Sequence, residues 1–221
     1  MSIKAIAARL GVSPSTVSLW TRDIVLTSDQ HEALRNANPI YNQQLRGQEQ
    51  RRRSAAEDRI RAQETGRRMA RANRGLHRSG CVLYWAEGSK TRNTIRFTNS
   101  DADMVAYFLR FLRECYEIDD SRISLTVNCF LNNGLSLDEI EGWWVERLGL
   151  PMSCLRKATV SRASRLSRFR RNTLPYGTAR ISVYSTFVVQ SIYGAIQEYV
   201  GMSRPGWLDC GPTKVGDAGL A

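Results

Sequence analysis

The chain has 221 residues, 42% of them hydrophobic, and carries 32 Lys and Arg against 21 Asp and Glu, a formal charge of +11. That allows one ordinary domain plus a small one and a packed core, and the basic excess makes nucleic acid the first partner to consider, with an anionic membrane surface as its rival. No apolar run nears the roughly 18 residues of a membrane span, and five scattered cysteines without CxxC, beside two histidines, speak against a zinc site or a disulfide framework and for a reducing cytoplasm.

The chain opens MSIKAIAARLGV, which lacks the long apolar stretch of a signal peptide and starts a folded pattern at once. Ile3, Ile6, Ala7 and Leu10 recur at helical spacing and predict one apolar face. Gly11 follows where a helix end wants a residue that tolerates positive φ, and Val12 is expected to be buried in the turn. Ser13 and Pro14 read as an N-cap and a first helical residue, and Val17 and Trp20 as the inward stripe of a second helix. Helix, short glycine turn and helix together resemble the helix-turn-helix of bacterial regulators and resolvases. The resemblance implies that the second helix enters the major groove with Ser15, Thr16, Ser18, Leu19 and Arg22 outward. Hydroxyls there touch base edges or phosphates, and Arg22 reaches a phosphate or guanine. A small helical module that binds protein is the competing reading. LTSDQHEAL, residues 26–34, predicts a third helix capped by Thr27 or Ser28, so residues 1–40 form a DNA-binding head.

Residues 41–77 change in composition to Gln, Arg, Glu and Ala, with few large apolar residues. These are good helix formers, so a solvated, partly continuous helical connector is expected. It serves either as a charged spacer or, through Arg51, Arg52, Arg53, Arg67, Arg68 and Arg71, as a track along a phosphate backbone.

Beyond residue 78 the pattern is mixed α and β. GCVLYWAE, 80–87, predicts a compact helix and TRNTIRFTN, 91–99, a strand. Ser100 with Asp103 suggests a capping box for a helix to about residue 116, striped by Val105, Phe108, Leu112 and Cys115. RISLTVNCF, 122–130, alternates as a strand. Ser136 and Glu139 make a second capping box before Ile140, Trp143, Trp144 and Leu148, and Gly149 stops that helix. TARISVYS, 178–185, is another strand, and 187–200 a final helix.

That element order and the segment YWAEGSK resemble the LAGLIDADG homing endonuclease domain, over residues 78–200. Ala86, Glu87 and Gly88 match the end of the family motif, Leu83 an apolar motif position, and NSD at 99–101 also looks like the family. Val82 stands where the family usually has a close-packing glycine, and Trp85 where an acid often lies; Cys81 is the small residue left for close helix packing. The resemblance implies a saddle-shaped antiparallel sheet on DNA and a motif helix paired with its own copy in a homodimer. It further implies a palindromic or pseudo-palindromic double-stranded target, with Glu87 as catalytic residue and metal ligand for Mg²⁺. A carboxylate that faces phosphates is tolerable with a cation between them, and Lys90, Arg92 and Arg96 become the surrounding phosphate or base contacts. An unrelated α+β domain with a solvated Glu87 is the alternative.

RKATVSRASRLSRFRRN, 156–172, has no acid and offers Arg156, Lys157, Arg162, Arg165, Arg168, Arg170 and Arg171 to nucleic acid. Lys157 is a candidate to stabilise charge at a scissile phosphate, Phe169 to stack or pack, and Tyr176 to pack. The tail, 201–221, reads as loose. The fold class expected is α+β: an all-α helix-turn-helix, a basic helical connector and a mixed LAGLIDADG-like domain. The function expected is sequence-specific binding of double-stranded DNA in the cytoplasm, at the nucleoid and with no membrane partner, as a regulator that has lost cleavage. An active Mg²⁺-dependent endonuclease is the alternative, and a resolvase or transposase accessory protein a weaker one.

Overall fold

A computed structural model describes residues 1–131, 134–161 and 174–210, without the side chains of 39–41. It divides into two units, Met1–Ala55 and Ala56–Ala221.

In the first unit Ser2 caps α1 (Ile3–Leu10) by accepting from the Ala5 N–H, and Gly11, at φ 67°, ends it. Ser13 caps α2 (Pro14–Trp20) through the Thr16 N–H, with Pro14 opening the helix as expected. The two helices meet through Ala7 and Val17, which are 2% and 1% exposed. The wider apolar stripe predicted for them is not buried: Ile3, Leu10 and Trp20 are exposed and Val12 is half-buried. Helices of eight and seven residues have room for little more than one contact row. Thr27 and Gln30 form a reciprocal capping box on α3 (Ser28–Asn36), which satisfies two otherwise orphaned N–H groups. The boundary between the units falls within α4 (Pro39–Arg71).

The second unit continues through α5 (Gly75–Glu87), β1 (Thr94–Asn99), α6 (Ala102–Tyr116), β2 (Ile123–Phe130) and α7 (Leu137–Leu148). It closes with β3 (Thr159–Ser161), β4 (Thr178–Tyr184) and α8 (Thr186–Val200). The α+β class is as expected. Asp101, and not Ser100, caps α6, because its carboxylate reaches the N–H groups of Asp103 and Met104. Ser136 and Glu139 form the predicted capping box of α7, and Gly149 ends it.

The strands form one sheet in the order β1-β4-β2-β3. It is mixed, not antiparallel as expected: β1 and β2 run antiparallel to β4, but β3 pairs parallel to β2. The chain between β2 and β3 includes α7, and a helical crossover brings a chain back in the same direction. Strict alternation sends Ile95, Phe97, Ile123, Leu125, Val127, Cys129, Ala179, Ile181 and Val183 into the core. Val105, Phe108, Leu109 and Leu112 of α6 and Val188, Val189, Ile192 and Ile196 of α8 complete that core.

Two expectations fail at its margin. The connector is largely exposed only as far as residue 58; beyond it Arg59, Ala62, Gln63, Gly66 and Ala70 are buried. A Cβ on Gly66 would lie 1.8 Å from the Ser191 carbonyl oxygen, and one on Gly194 2.0 Å from that of Gln63, so α4 and α8 touch backbone to backbone. Small residues, not large apolar ones, make this contact, which a count of apolar positions misses. Gln63, Gln190 and Gln197 bridge the same seam, with Gln63 donating to Gln190 at 2.9 Å and Gln197 to Gln63 at 3.2 Å. The start of the tail is packed as well, since Trp207 is 9% exposed against Tyr193. Residues 211–221 lie outside the described residues.

Candidate nucleic-acid interface

The alternation that fills the core turns the other side chains of each strand to the opposite side, where among the described residues all but buried Thr94 are at least partly exposed. On β1 that side carries Thr94, Arg96 and Thr98; on β4, Thr178, Arg180, Ser182 and Tyr184; on β2, Ser124, Thr126, Asn128 and Phe130. Register aligns Arg96 with Ser182 and Ser124, and Thr98 with Arg180 and Thr126. Arg96 and Arg180 are therefore diagonal neighbours on adjacent strands. Like charges so placed repel, and no Asp or Glu occurs on any of the four strands to offset them. Among the described residues Arg180 Nε reaches only Thr98 Oγ1, at 3.4 Å. The surface is cationic, rich in hydroxyls and fringed by two exposed aromatics, Phe130 and Tyr184.

Arg96 thus stands where the sequence reading put it, while Arg180 was missed as a site residue. The signal was present: with Ala179, Ile181 and Val183 inward, Arg180 must point outward. Arg92 is exposed in the loop before β1. Lys90 has a different task. Its ammonium donates to the carbonyls of Tyr84, Trp85 and Gly88 at 3.2, 2.8 and 2.6 Å. Burial against the helix end lowers its pKa. Its donors close the C-terminus of α5, which leaves charge but no free N–H for a phosphate.

Glu87 ends α5 with its side chain exposed, and no hydrogen bond or ion pair holds its carboxylate among the described residues. The next residue, Gly88, bridges to Phe97, and Ser89 donates to the Arg96 carbonyl at 2.9 Å. Glu87 therefore lies at the β1 edge of the sheet. Gly88 has no room for a side chain, because a Cβ would sit 2.2 Å from the Tyr84 ring, so the backbone after Glu87 is tightly fixed. No three His, Cys, Asp or Glu converge on one point among the described residues.

On α5, Cys81 is fully buried, within 3.8 Å of His77, and so is not on the outer face where the sequence reading placed it. Ser79, Val82 and Ala86 form that outer face, beside a groove completed by Met104 and Tyr107 of α6.

A scan of protein-family models, a search of curated proteins and a search of solved structures return no match to this chain.

Among the remaining expected contacts, Ser15, Ser18 and Arg22 are exposed in the first unit and Thr16 is half-buried. Arg156 donates to the carbonyls of Ser153 and Leu155 at 2.8 and 2.9 Å and so braces its own turn. Lys157 is exposed just before β3. Arg162, Arg165, Arg168, Phe169, Arg170 and Arg171 lie outside the described residues. On α4, Arg53, Arg67 and Arg71 are paired with Glu49, Glu64 and Glu198, so the phosphate track there reduces to Arg51, Arg52 and Arg68. Tyr176 packs, stacked on Trp143 with ring centroids 4.0 Å apart.

Proposed function

We propose that this protein binds double-stranded DNA in a sequence-specific way, as a regulator whose LAGLIDADG-like domain serves recognition, not cleavage. The observation that carries the reading is the outward sheet face, with Arg96 and Arg180 as diagonal neighbours and no acid on any of the described strands. Two guanidiniums without carboxylates call for an anion, and the interspersed hydroxyls suit phosphates and base edges. The helix pair of the first unit adds a reading head of the helix-turn-helix type. A homodimer formed through the outer face of α5 presents two heads and two sheets to a palindromic site.

The experiment is equilibrium binding of the full chain to a fluorescent 30-bp duplex across a salt series. Arg96→Ser and Arg180→Ser should each weaken binding and lower the log–log salt slope by about 1, the signature of one lost phosphate contact. Binding that is absent, or slopes unchanged in both variants, overturns the proposal.

The second reading, an endonuclease, is favoured by one observation: Glu87 is an exposed carboxylate, unpaired among the described residues, at the edge of a cationic sheet. A magnesium ion there would take its other ligands from the partner copy's matching acid, from DNA phosphates and from water. Mg²⁺-dependent double-strand breaks by the wild-type chain that vanish in Glu87→Gln, with binding retained, would establish this reading over the first.

A further inference from the structure

On α2 the exposed positions Ser15, Ser18 and Leu19 fall at i, i+3 and i+4, with exposed Arg22 in the turn just past the helix end, and this stripe lies opposite buried Val17. Several hydroxyls near the stripe are already engaged. Ser13 Oγ is 2.8 Å from both Ser15 Oγ and Thr16 Oγ1, and Thr21 Oγ1 donates to the Val17 carbonyl at 2.9 Å. Ser18 and Arg22 keep uncommitted polar groups among the described residues. The stripe has no Asn or Gln for adenine and no Asp or Glu for cytosine. In its midst Leu19 is 61% exposed, an isobutyl group with Ser15 and Ser18 on its face and exposed Trp20 next to it in the chain.

Resting on the DNA-binding reading of the first unit, we infer that Leu19 is a specificity residue that reads thymine C5-methyl groups in the major groove. The charge of this unit supports a DNA occupant, with eight Lys or Arg against four Asp or Glu over residues 1–55, four of the cations on α4. Within the groove the thymine methyl is the one apolar group a base edge presents. Set against guanine or adenine edges, Leu19 would strip water from N7, O6 or N6 and return no hydrogen bond, which disfavours those bases. Against a thymine methyl it loses nothing polar and buries apolar surface on both partners. Arg22, the remaining strong donor, is left for guanine or a phosphate. The half-site is therefore defined by thymine opposite Leu19, not by a bidentate adenine contact.

The test starts by selecting duplexes from a random library with the full-length chain. Thymines of the enriched sequence are then replaced singly by deoxyuridine, which removes the methyl and keeps every hydrogen bond. At one or two positions wild-type affinity should fall about fourfold, the worth of one buried methyl-sized group. Leu19→Ala, at an exposed position, should keep the wild-type melting curve, bind the thymine duplex several-fold more weakly and be indifferent to deoxyuridine at those positions. Equal losses in wild type and Leu19→Ala would assign the methyl contact to another residue and overturn the inference while DNA binding stands. A library that yields no enriched sequence overturns the DNA reading of the head, and the inference with it.

Discussion

His77 shows how one side chain couples the helices beneath the candidate interface. It lies on α5, 2% exposed, with Nδ1 2.8 Å from the Tyr199 hydroxyl and Nε2 3.3 Å from that of Tyr116. Tyr116 OH is in turn 3.3 Å from Ser191 Oγ, so one network ties α5 to α6 and α8. Burial, with a smaller contribution from Arg74, pushes the imidazole pKa down to about 4. The unfolded chain takes up that proton near the ordinary histidine value of about 6.5, so between the two values it binds more protons than the folded chain. Stability from this group is complete above about pH 6.5 and falls as pH drops to about 4, by roughly 3 kcal/mol in total. Urea unfolding at pH 7.5, 5.5 and 4 should show that loss, and His77→Gln, which cannot charge, should remove this part of the slope. An identical slope in both proteins would show that carboxylates alone set the acid limit. Nothing in the sequence marked His77, since a lone histidine among arginines has no local pattern that reveals its burial.

The elements divide by how local their causes are. Most caps and stops were legible: Ser13–Pro14, the Ser136 capping box, and Gly11 and Gly149 each act within a few residues of themselves, while the α3 cap stayed open between Thr27 and Ser28 and that of α6 fell on Asp101, one residue past Ser100. Strand alternation was legible for the same reason, and placed Arg96 outward. The α4–α8 seam was not, because Ala62, Gly66 and Ala70 matter only when Gly194 arrives from far along the chain. Nor was β3, three residues in a basic run without alternation. Two glycines in α4 separate local from tertiary causes. Gly47 has open space around its missing Cβ, so Gly47→Ala should raise stability by about 0.5–1 kcal/mol through helix propensity alone. The same change at Gly66 drives a methyl into the Ser191 carbonyl and should cost about 1–3 kcal/mol or more by forcing α4 off α8. Thermal melts of the two single variants, followed by circular dichroism, should therefore shift in opposite directions. Equal shifts would mean that the seam yields freely.

At the scale of the whole molecule, the candidate surface was half legible. Arg96 and Glu87 could be placed from strand and helix patterns, and Arg180's outward turn from alternation; that Arg180 stands diagonal to Arg96 needed the strand register, and Lys90 as a clamp on the α5 end needed the local fold. What joins these parts into a symmetric DNA reader is the proposed pairing of α5 with its copy. Its outer face is suited to this: Ser79 and Ala86 are small, Val82 is 44% exposed, and the adjoining groove is mostly apolar. In a two-fold interface each residue meets the matching patch, so one substitution acts twice. Val82→Arg sets a charge on that axis against its own copy and against Arg78, and a solvent-facing position tolerates it in the folded monomer. Sedimentation at tens of micromolar should then give a dimer for the wild type and a monomer for the variant. On a two-half-site duplex the variant should lose about 10²–10⁴ in affinity, because the second head no longer binds at a high effective concentration. On a single half-site it should match the wild type. A wild-type chain that sediments as a monomer would remove the two-fold axis, and a palindromic target would then lose its structural cause.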